Sequence, residues 1–487
     1  MSADATAASA AEPTAPPPAT RSVAERALAG WRGPLIVFLV FAATYLAVAG
    51  GRLREHSPYN QYVYLAEGWL HGRLTLAGQP PNENDWAKID VLKLRDGREL
   101  RGIYGSRTGG PVDRFYPLRG KSESVPESEI ASRSTIRLVS FPPFPAVLML
   151  PFVAVSGLRF NDVLFTALWA ALNPALLFLL LRELRRRGYS RRTETDDLWL
   201  TVMLGAGSVH FFCSVLGQVW FTGLVVAVTV SIAYVWASLD ARYPALAGLF
   251  VGLGFATRPP WFVVPFFFFE AVRHVGGAAA LRTPEGRRAF WRLTVAFAGP
   301  IAVIGLVLAW YNAARFGSPF EFGHRYLPVQ WQERIFRFGL FNYHFLSRNL
   351  AAALILLPRI MDHYPFVRVS QHGMSVLVTS PNLVYTVMPP NAGPRSPLTR
   401  GLWITVLTTA LPSLLYQGSG YVQFGYRYSL DVMVYLMVLL AVGNRRFTRL
   451  FKGLVVVSIA INLFLAITFN RYMQFSYDDS FFPHGNN

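Results

Sequence analysis

The stretch Phe144-Pro145-Ala146-Val147-Leu148-Met149-Leu150-Pro151-Phe152-Val153-Ala154-Val155 decides how this chain is read. It is apolar throughout, but it falls short of the roughly 20 residues that cross a hydrocarbon core, and it is interrupted by Pro145 and Pro151. It therefore reads as an interfacial or re-entrant helix and not as a span. The topology follows from that choice. The next apolar run, 163–181, ends on Arg182, Arg185, Arg186, Arg187, Arg191 and Arg192, and such a cluster belongs on the cytoplasmic side. Counting 144–155 as a span would put the cluster outside.

Composition agrees with a chain built in a membrane. Of 487 residues, 52% are hydrophobic and only 15% are charged, and the apolar residues come in blocks, which a soluble protein of this size does not show. The formal charge of +18 comes mostly from Arg clusters between apolar runs. That is the pattern of cytoplasmic loops facing anionic lipid, and it argues against nucleic acid as a partner. The one cysteine, Cys213, lies inside an apolar run and excludes an intrachain disulfide and a CxxC metal or redox site.

Residues 1–30 form a tail whose first 22 residues, rich in Ala, Pro, Thr and Ser, cannot bury enough surface to fold. Arg21, Arg26 and Arg32 precede the first span, 34–49, and place the amino terminus in the cytoplasm. Ala47-Val48-Ala49 resembles a signal-peptidase site, but the leader before it is too long. Further spans are expected at 198–216, 219–239, 245–256, 261–272, 293–311, 375–388, 402–416, 428–442 and 453–469, about eleven in all. The expected architecture is an all-α polytopic membrane domain over 31–472, with loops 182–197, 273–292 and 444–452 inside. The loop 52–160 and the tail 473–487 then lie outside.

The 52–160 loop opens with a helical face made of Tyr62, Leu65, Ala66, Trp69 and Leu70, too short to span and suited to lie in the interface. Residues 77–137 read as a β-rich insertion, because apolar and polar residues alternate on either side of Asp96-Gly97, a hairpin signal.

The candidate site is expected on the outer face. Phe322-Gly323-His324-Arg325-Tyr326 and Phe424-Gly425-Tyr426-Arg427-Tyr428 each put an Arg at the outer mouth of a span, and Arg258 sits at a turn between two short ones. An Arg there commonly snorkels to lipid headgroups. Several on one face fit a phosphate clamp, since a guanidinium fork matches phosphate oxygens and stays charged. Asp431, one turn after Arg427, is expected to pair with it. Of the outer-loop carboxylates Glu55, Glu67, Glu83, Asp85, Asp90 and Asp96, Asp96 belongs to the turn and Asp90 to a strand. Asp85, beside Trp86, is the first candidate for a general base, with Glu67 and Glu55 behind it. His56, His71 and His324 show no metal-ligand spacing, and no P-loop or dinucleotide fingerprint is present. No cofactor is expected, and nothing in the spacing supports a divalent metal.

In layout the chain resembles the GT-C glycosyltransferases, in particular the family 39-like branch of protein mannosyltransferases and aminoarabinose transferases. Tyr59-Asn60-Gln61-Tyr62-Val63-Tyr64-Leu65-Ala66 is similar to that family's first interfacial helix, Phe141-Pro142-Pro143-Phe144-Pro145 to the entry of its second, Thr257-Arg258-Pro259 to its paired short spans, and Arg427-Tyr428 to its late outer-face Arg. The resemblance implies an inverting glycosyltransferase of a bacterial-type inner membrane. It would move a sugar from a polyprenyl-phosphate donor to a lipid, glycan or protein acceptor, with Arg258, Arg325, Arg427, Tyr62 and Asn60 binding substrate. One departure stands out: the family carries a carboxylate just before the first interfacial helix, and Asn60 and Gln61 stand there instead. An amide cannot accept the acceptor's proton, so the base must come from elsewhere in the loop. A transporter of lipid-linked saccharides, or a silent assembly subunit, would keep the Arg sites and need no base.

Overall fold

The computed structural model describes residues 30–105, 112–258, 262–329, 331–391 and 396–478. Its helices, in chain order, are α1 (Arg32–Ala49), α2 (Gln61–Leu70), α3 (Phe144–Ser156), α4 (Asp162–Arg186), α5 (Glu194–Gly205), α6 (His210–Ser214), α7 (Val219–Ser238), α8 (Pro244–Phe255), α9 (Pro265–His274), α10 (Pro284–Phe316), α11 (Gln332–Phe338), α12 (Leu346–Leu354), α13 (Leu398–Leu415), α14 (Leu430–Val442) and α15 (Arg449–Thr468). Among the described residues, α1, α4, α7, α10, α13 and α15 are long and apolar enough to cross a membrane, which makes this a multi-pass membrane protein.

Six of the eleven expected spans coincide with these helices, and among the described residues the other five runs are broken or shorter. The run 198–216 breaks between α5 and α6 at Gly205-Ala206-Gly207-Ser208, where Gly205 lets the Phe41 ring approach so closely that a Cβ would lie 2.3 Å from it. The run 375–388 is one α-turn, Val376–Thr379, followed by a 3-10 segment, Pro381–Thr386; Pro381 has no N–H to continue the ladder. The helices α8, α9 and α14 are apolar but only 10 to 13 residues long.

Of the six long helices the best buried is α7, packed against α4, α8 and α14. By contrast, α10 is 33 residues long and leaves Val295, Val303, Leu306, Val307 and Trp310 exposed, an apolar face suited to lipid. It is held against α8 by Gly248 and Gly252, where a Cβ would meet the Phe297 carbonyl oxygen at 1.9 Å and the Ile304 side chain at 2.6 Å. Small residues four apart allow this close helix contact.

Residues 144–155 form the short helix α3, which packs on α2 around Tyr62, Leu65, Ala66, Ala146, Met149 and Val153. After α2 the chain enters an antiparallel sheet of β1 (Trp86–Leu94), β2 (Glu99–Tyr104), β3 (Arg114–Pro117), β4 (Glu123–Ser124) and β5 (Ile130–Val139), in the order β4-β3-β2-β1-β5. The β1–β2 hairpin turns at Asp96-Gly97, with Gly97 at φ +91°. Ala87, Ile89, Ile103 and Leu138 of the sheet pack on Phe316, Tyr326 and Leu327, so the sheet rests on the end of α10 and the loop after it.

Candidate functional site: two cavities that share a wall

The segment before α2 and the segment before β1 are tied together. The Asn82 side-chain amide donates to the Pro58 carbonyl, and Gln61 Nε2 donates to the Asn84 carbonyl at 3.2 Å. The Val219 N–H donates to the Tyr59 carbonyl at 2.9 Å, bringing the start of α7 to the same place. Asp85, between the loop and β1, takes φ +57°, a left-handed conformation that Asp tolerates better than most residues. The next residue, Trp86, is fully buried and meets Tyr64 edge-on at 5.4 Å. These ties turn the Asp85 carboxylate toward α7, where Trp220 Nε1 donates to Oδ2 at 2.8 Å.

Asp85 lines a cavity of about 290 Å³, together with Trp220, His324, Arg334, Arg348, Tyr416, Gln417 and Arg427. A second cavity of about 140 Å³ adjoins it, lined by Tyr62, Phe141, Pro142, Val219, Arg258, Phe322, Leu340 and Phe341. Phe141, Trp220, His324, Tyr416, Arg427 and Tyr428 line both and so form the shared wall. The first cavity is the more polar, and the second is largely aromatic and aliphatic.

Arg427 and Arg258 flank one ring. The Tyr428 centroid is 5.5 Å from the Arg427 guanidinium carbon and 5.1 Å from that of Arg258. Their partners differ. Arg258, at the end of α8, is clasped by Asp431, with Nε 2.6 Å from Oδ1 and Nη2 2.8 Å from Oδ2. Asp431 therefore pairs with Arg258 and not, as expected, with Arg427. Its Oδ2 also accepts from Ser413 at 3.2 Å. Arg427 is buried, its N–H donates to Gln423 Oε1 at 2.9 Å, and among the described residues no carboxylate lies within 4 Å of its guanidinium.

Electrostatics suit a base facing a cation. Burial raises the Asp85 carboxyl above the usual carboxylate range, while the Trp220 hydrogen bond and the positive charge of Arg427 act against the rise. Burial pushes the His324 imidazole down to about 4, which leaves the ring neutral at physiological pH. Its Nδ1 has no hydrogen-bond partner among the described residues.

The remaining candidates lie apart. Glu67 is paired with Arg73 at 3.2 Å and faces His71, and Glu55 is exposed; neither lines either cavity. Glu83 is spent on Lys88 and Arg137, Asp90 on Arg133 and the Tyr104 N–H, and Asp96 on Arg98. Asn60 is buried at the N-cap of α2, with Nδ2 3.4 Å from His56 Nδ1, and lines neither cavity. Arg325 faces a separate crevice, between the sheet and the loop after α10, over the Phe336 ring. It leaves the clamp because the sheet docks on Tyr326 and Leu327 and turns the preceding side chain outward. Reading the sequence missed Trp220, Arg334 and Tyr416. A tryptophan in the first turn of an apolar span, next to the outer-loop level, was the available signal for Trp220. Among the described residues no group of three or more His, Cys, Asp or Glu side chains could hold a metal ion.

Neither a scan of family models nor a search of curated proteins finds a match for this chain. A search of solved structures finds similarity to the apo crystal structure of the Archaeoglobus fulgidus oligosaccharyltransferase, with a TM-score of 0.45 and 13% identity over 91% of this chain. This chain spans only 56% of that one.

Proposed function

We propose that this protein is an inverting, membrane-embedded glycosyltransferase that uses a polyprenyl-phosphate-linked sugar, with both cavities opening toward the outer face. The observation that carries the reading is the shared wall. Arg427, which no carboxylate approaches within 4 Å among the described residues, stands in that wall. Asp85, its carboxyl pKa raised by burial, faces it across the first cavity, beside a second cavity that is mostly apolar.

The prenyl chain would enter the apolar cavity along Tyr62, Phe141, Leu340 and Phe341. Arg427 would hold the phosphate, and the sugar would project into the polar cavity. The acceptor O–H or N–H attacks the anomeric carbon as Asp85 takes its proton, and the bond from that carbon to the phosphate oxygen breaks. The lipid phosphate leaves with the bonding electrons, stabilised by the guanidinium. Attack opposite the leaving group inverts the anomeric centre. Arg258, already neutralised by Asp431, acts mainly by fixing Tyr428 and the wall.

The test is to measure sugar transfer and polyprenyl-phosphate binding in the same purified variants. Asp85→Asn should retain binding and lose transfer. Binding without transfer in the parent protein, unchanged by Asp85→Asn, would support a carrier of lipid-linked saccharides instead.

A further inference from the structure

Arg427 lines both cavities, whereas Arg334 and Arg348 line only the outer, polar one. These two guanidiniums are gathered by Gln417: its Oε1 accepts from Arg334 Nη2 at 3.2 Å and its main-chain oxygen accepts from Arg348 Nη2 at 2.5 Å. The Phe345 ring lies under both, 5.9 Å from the Arg334 and 5.4 Å from the Arg348 guanidinium carbon. The Gln417 segment is itself pinned by Asn349, fully buried, whose Nδ2 donates to the carbonyls of Leu414 at 3.0 Å and Tyr416 at 2.7 Å. The pair is thus held on a fixed scaffold, not on mobile side chains reaching for solvent.

The oxygens that Arg348 meets are neutral: the Gln417 carbonyl and, at 3.4 Å from Nε, Asn349 Oδ1. Among the described residues no carboxylate lies within 4 Å of it. Burial, and then the charge of Arg334, pull Arg348 down to about 10. Two guanidiniums brought together on an apolar ring repel, and a bound anion relieves that repulsion; forks set side by side suit a phosphate or carboxylate.

We propose that Arg348 and Arg334 form a second anion subsite in the outer cavity, which takes a phosphate or carboxylate group carried by the acceptor, at a position separate from the donor phosphate at Arg427. The assignment to the acceptor rests on the donor reading above; the subsite itself does not. The other source of the same chemistry is the second phosphate of a diphosphate-linked donor.

The experiment uses the full chain in detergent, reading intrinsic fluorescence, since Trp220 and Trp331 line the outer cavity. Inorganic phosphate is titrated into protein saturated with polyprenyl phosphate. The expected result is a second binding event that Arg348→Gln weakens at least tenfold, while polyprenyl-phosphate affinity stays within twofold of the parent. Arg348→Lys keeps a donor for the Gln417 carbonyl and should bind phosphate with intermediate strength, which separates a lost subsite from a misfolded loop. Arg427→Gln should show the reverse pattern, weak polyprenyl phosphate and retained inorganic phosphate. Competition between the two probes in the parent protein, or unchanged phosphate binding in Arg348→Gln, overturns the subsite. If polyprenyl diphosphate displaces the inorganic phosphate and loses affinity in Arg348→Gln, the group belongs to the donor and the acceptor assignment falls. If polyprenyl phosphate does not bind at all but Arg348→Gln still abolishes phosphate binding, the donor reading fails and the subsite stands.

Discussion

The two ends of α7 hold their charges in opposite ways. Near Asp240, beyond its last turn, Arg187 meets Glu183 at 2.6 Å and Asp240 at 2.9 Å, and Arg273 meets Asp240 at 2.7 Å and Glu270 at 2.5 Å. Tyr189 adds its hydroxyl to Asp240. About 30 Å away along the helix, at 1.5 Å per residue, Arg427 and Arg348 face a cavity with neutral partners, and Asp85 leans on an indole N–H. A cluster in which cation and anion are matched is complete without a ligand. Buried charges that the protein leaves unmatched are costly to the apo fold, and they are retained where something charged binds.

That contrast can be broken by experiment. The largest effect is expected at the unmatched end: general base catalysis contributes about 10²–10⁴-fold, so Asp85→Asn should lower transfer by that order with donor affinity intact, whereas Glu67→Gln should cost less than roughly tenfold. Transfer at the parent rate in Asp85→Asn would remove the base from the proposal.

At the matched end the loss should appear in stability and not in binding. Glu270→Gln leaves Arg273 short of a buried partner and should lower unfolding free energy by about 3–5 kcal/mol, read by denaturant titration, without changing polyprenyl-phosphate affinity. A weakened donor affinity there would erase the distinction between the two ends.

Arg427→Ala should weaken donor binding by about 1.5–3 kcal/mol, at least tenfold, while Arg427→Lys recovers part of it because a point charge replaces a fork. Arg325→Ala, in its separate crevice, should leave donor affinity unchanged. Equal losses in the two Ala variants would mean that the cavity wall does not select between them.

The smallest effect concerns pH. Burial raises the Asp85 carboxyl and the Trp220 N–H holds it back, so Trp220→Phe keeps the ring against Tyr59, 4.7 Å away, but lets the pKa rise further. The base is active only when ionised, so the acid limb of the transfer rate should move to higher pH, with less than about tenfold loss on the alkaline plateau. An unmoved limb would separate Trp220 from the ionisation of Asp85.

Much of this was legible in the sequence because it depends on local order. The prolines and short length of 144–155 mark α3 as a helix of only 13 residues, and Asp96-Gly97 makes the hairpin. The nearness of Arg427 to the start of an apolar helix and the basic ends of the long apolar runs follow from such signals. The tertiary structure alone decided the pairings. Asp431 is one turn from Arg427 in sequence, yet it clasps Arg258 from 173 positions away, because the end of α8 meets the start of α14. Trp220, Arg334 and Arg348 reach the cavity from three different helices, and Arg325 leaves it because a sheet docks beside it. Periodicity tells which face of a helix is apolar. Which distant charge will meet which depends on how helices cross, and that is fixed by packing such as the contact of Gly248 with Phe297, which leaves no local trace in either segment.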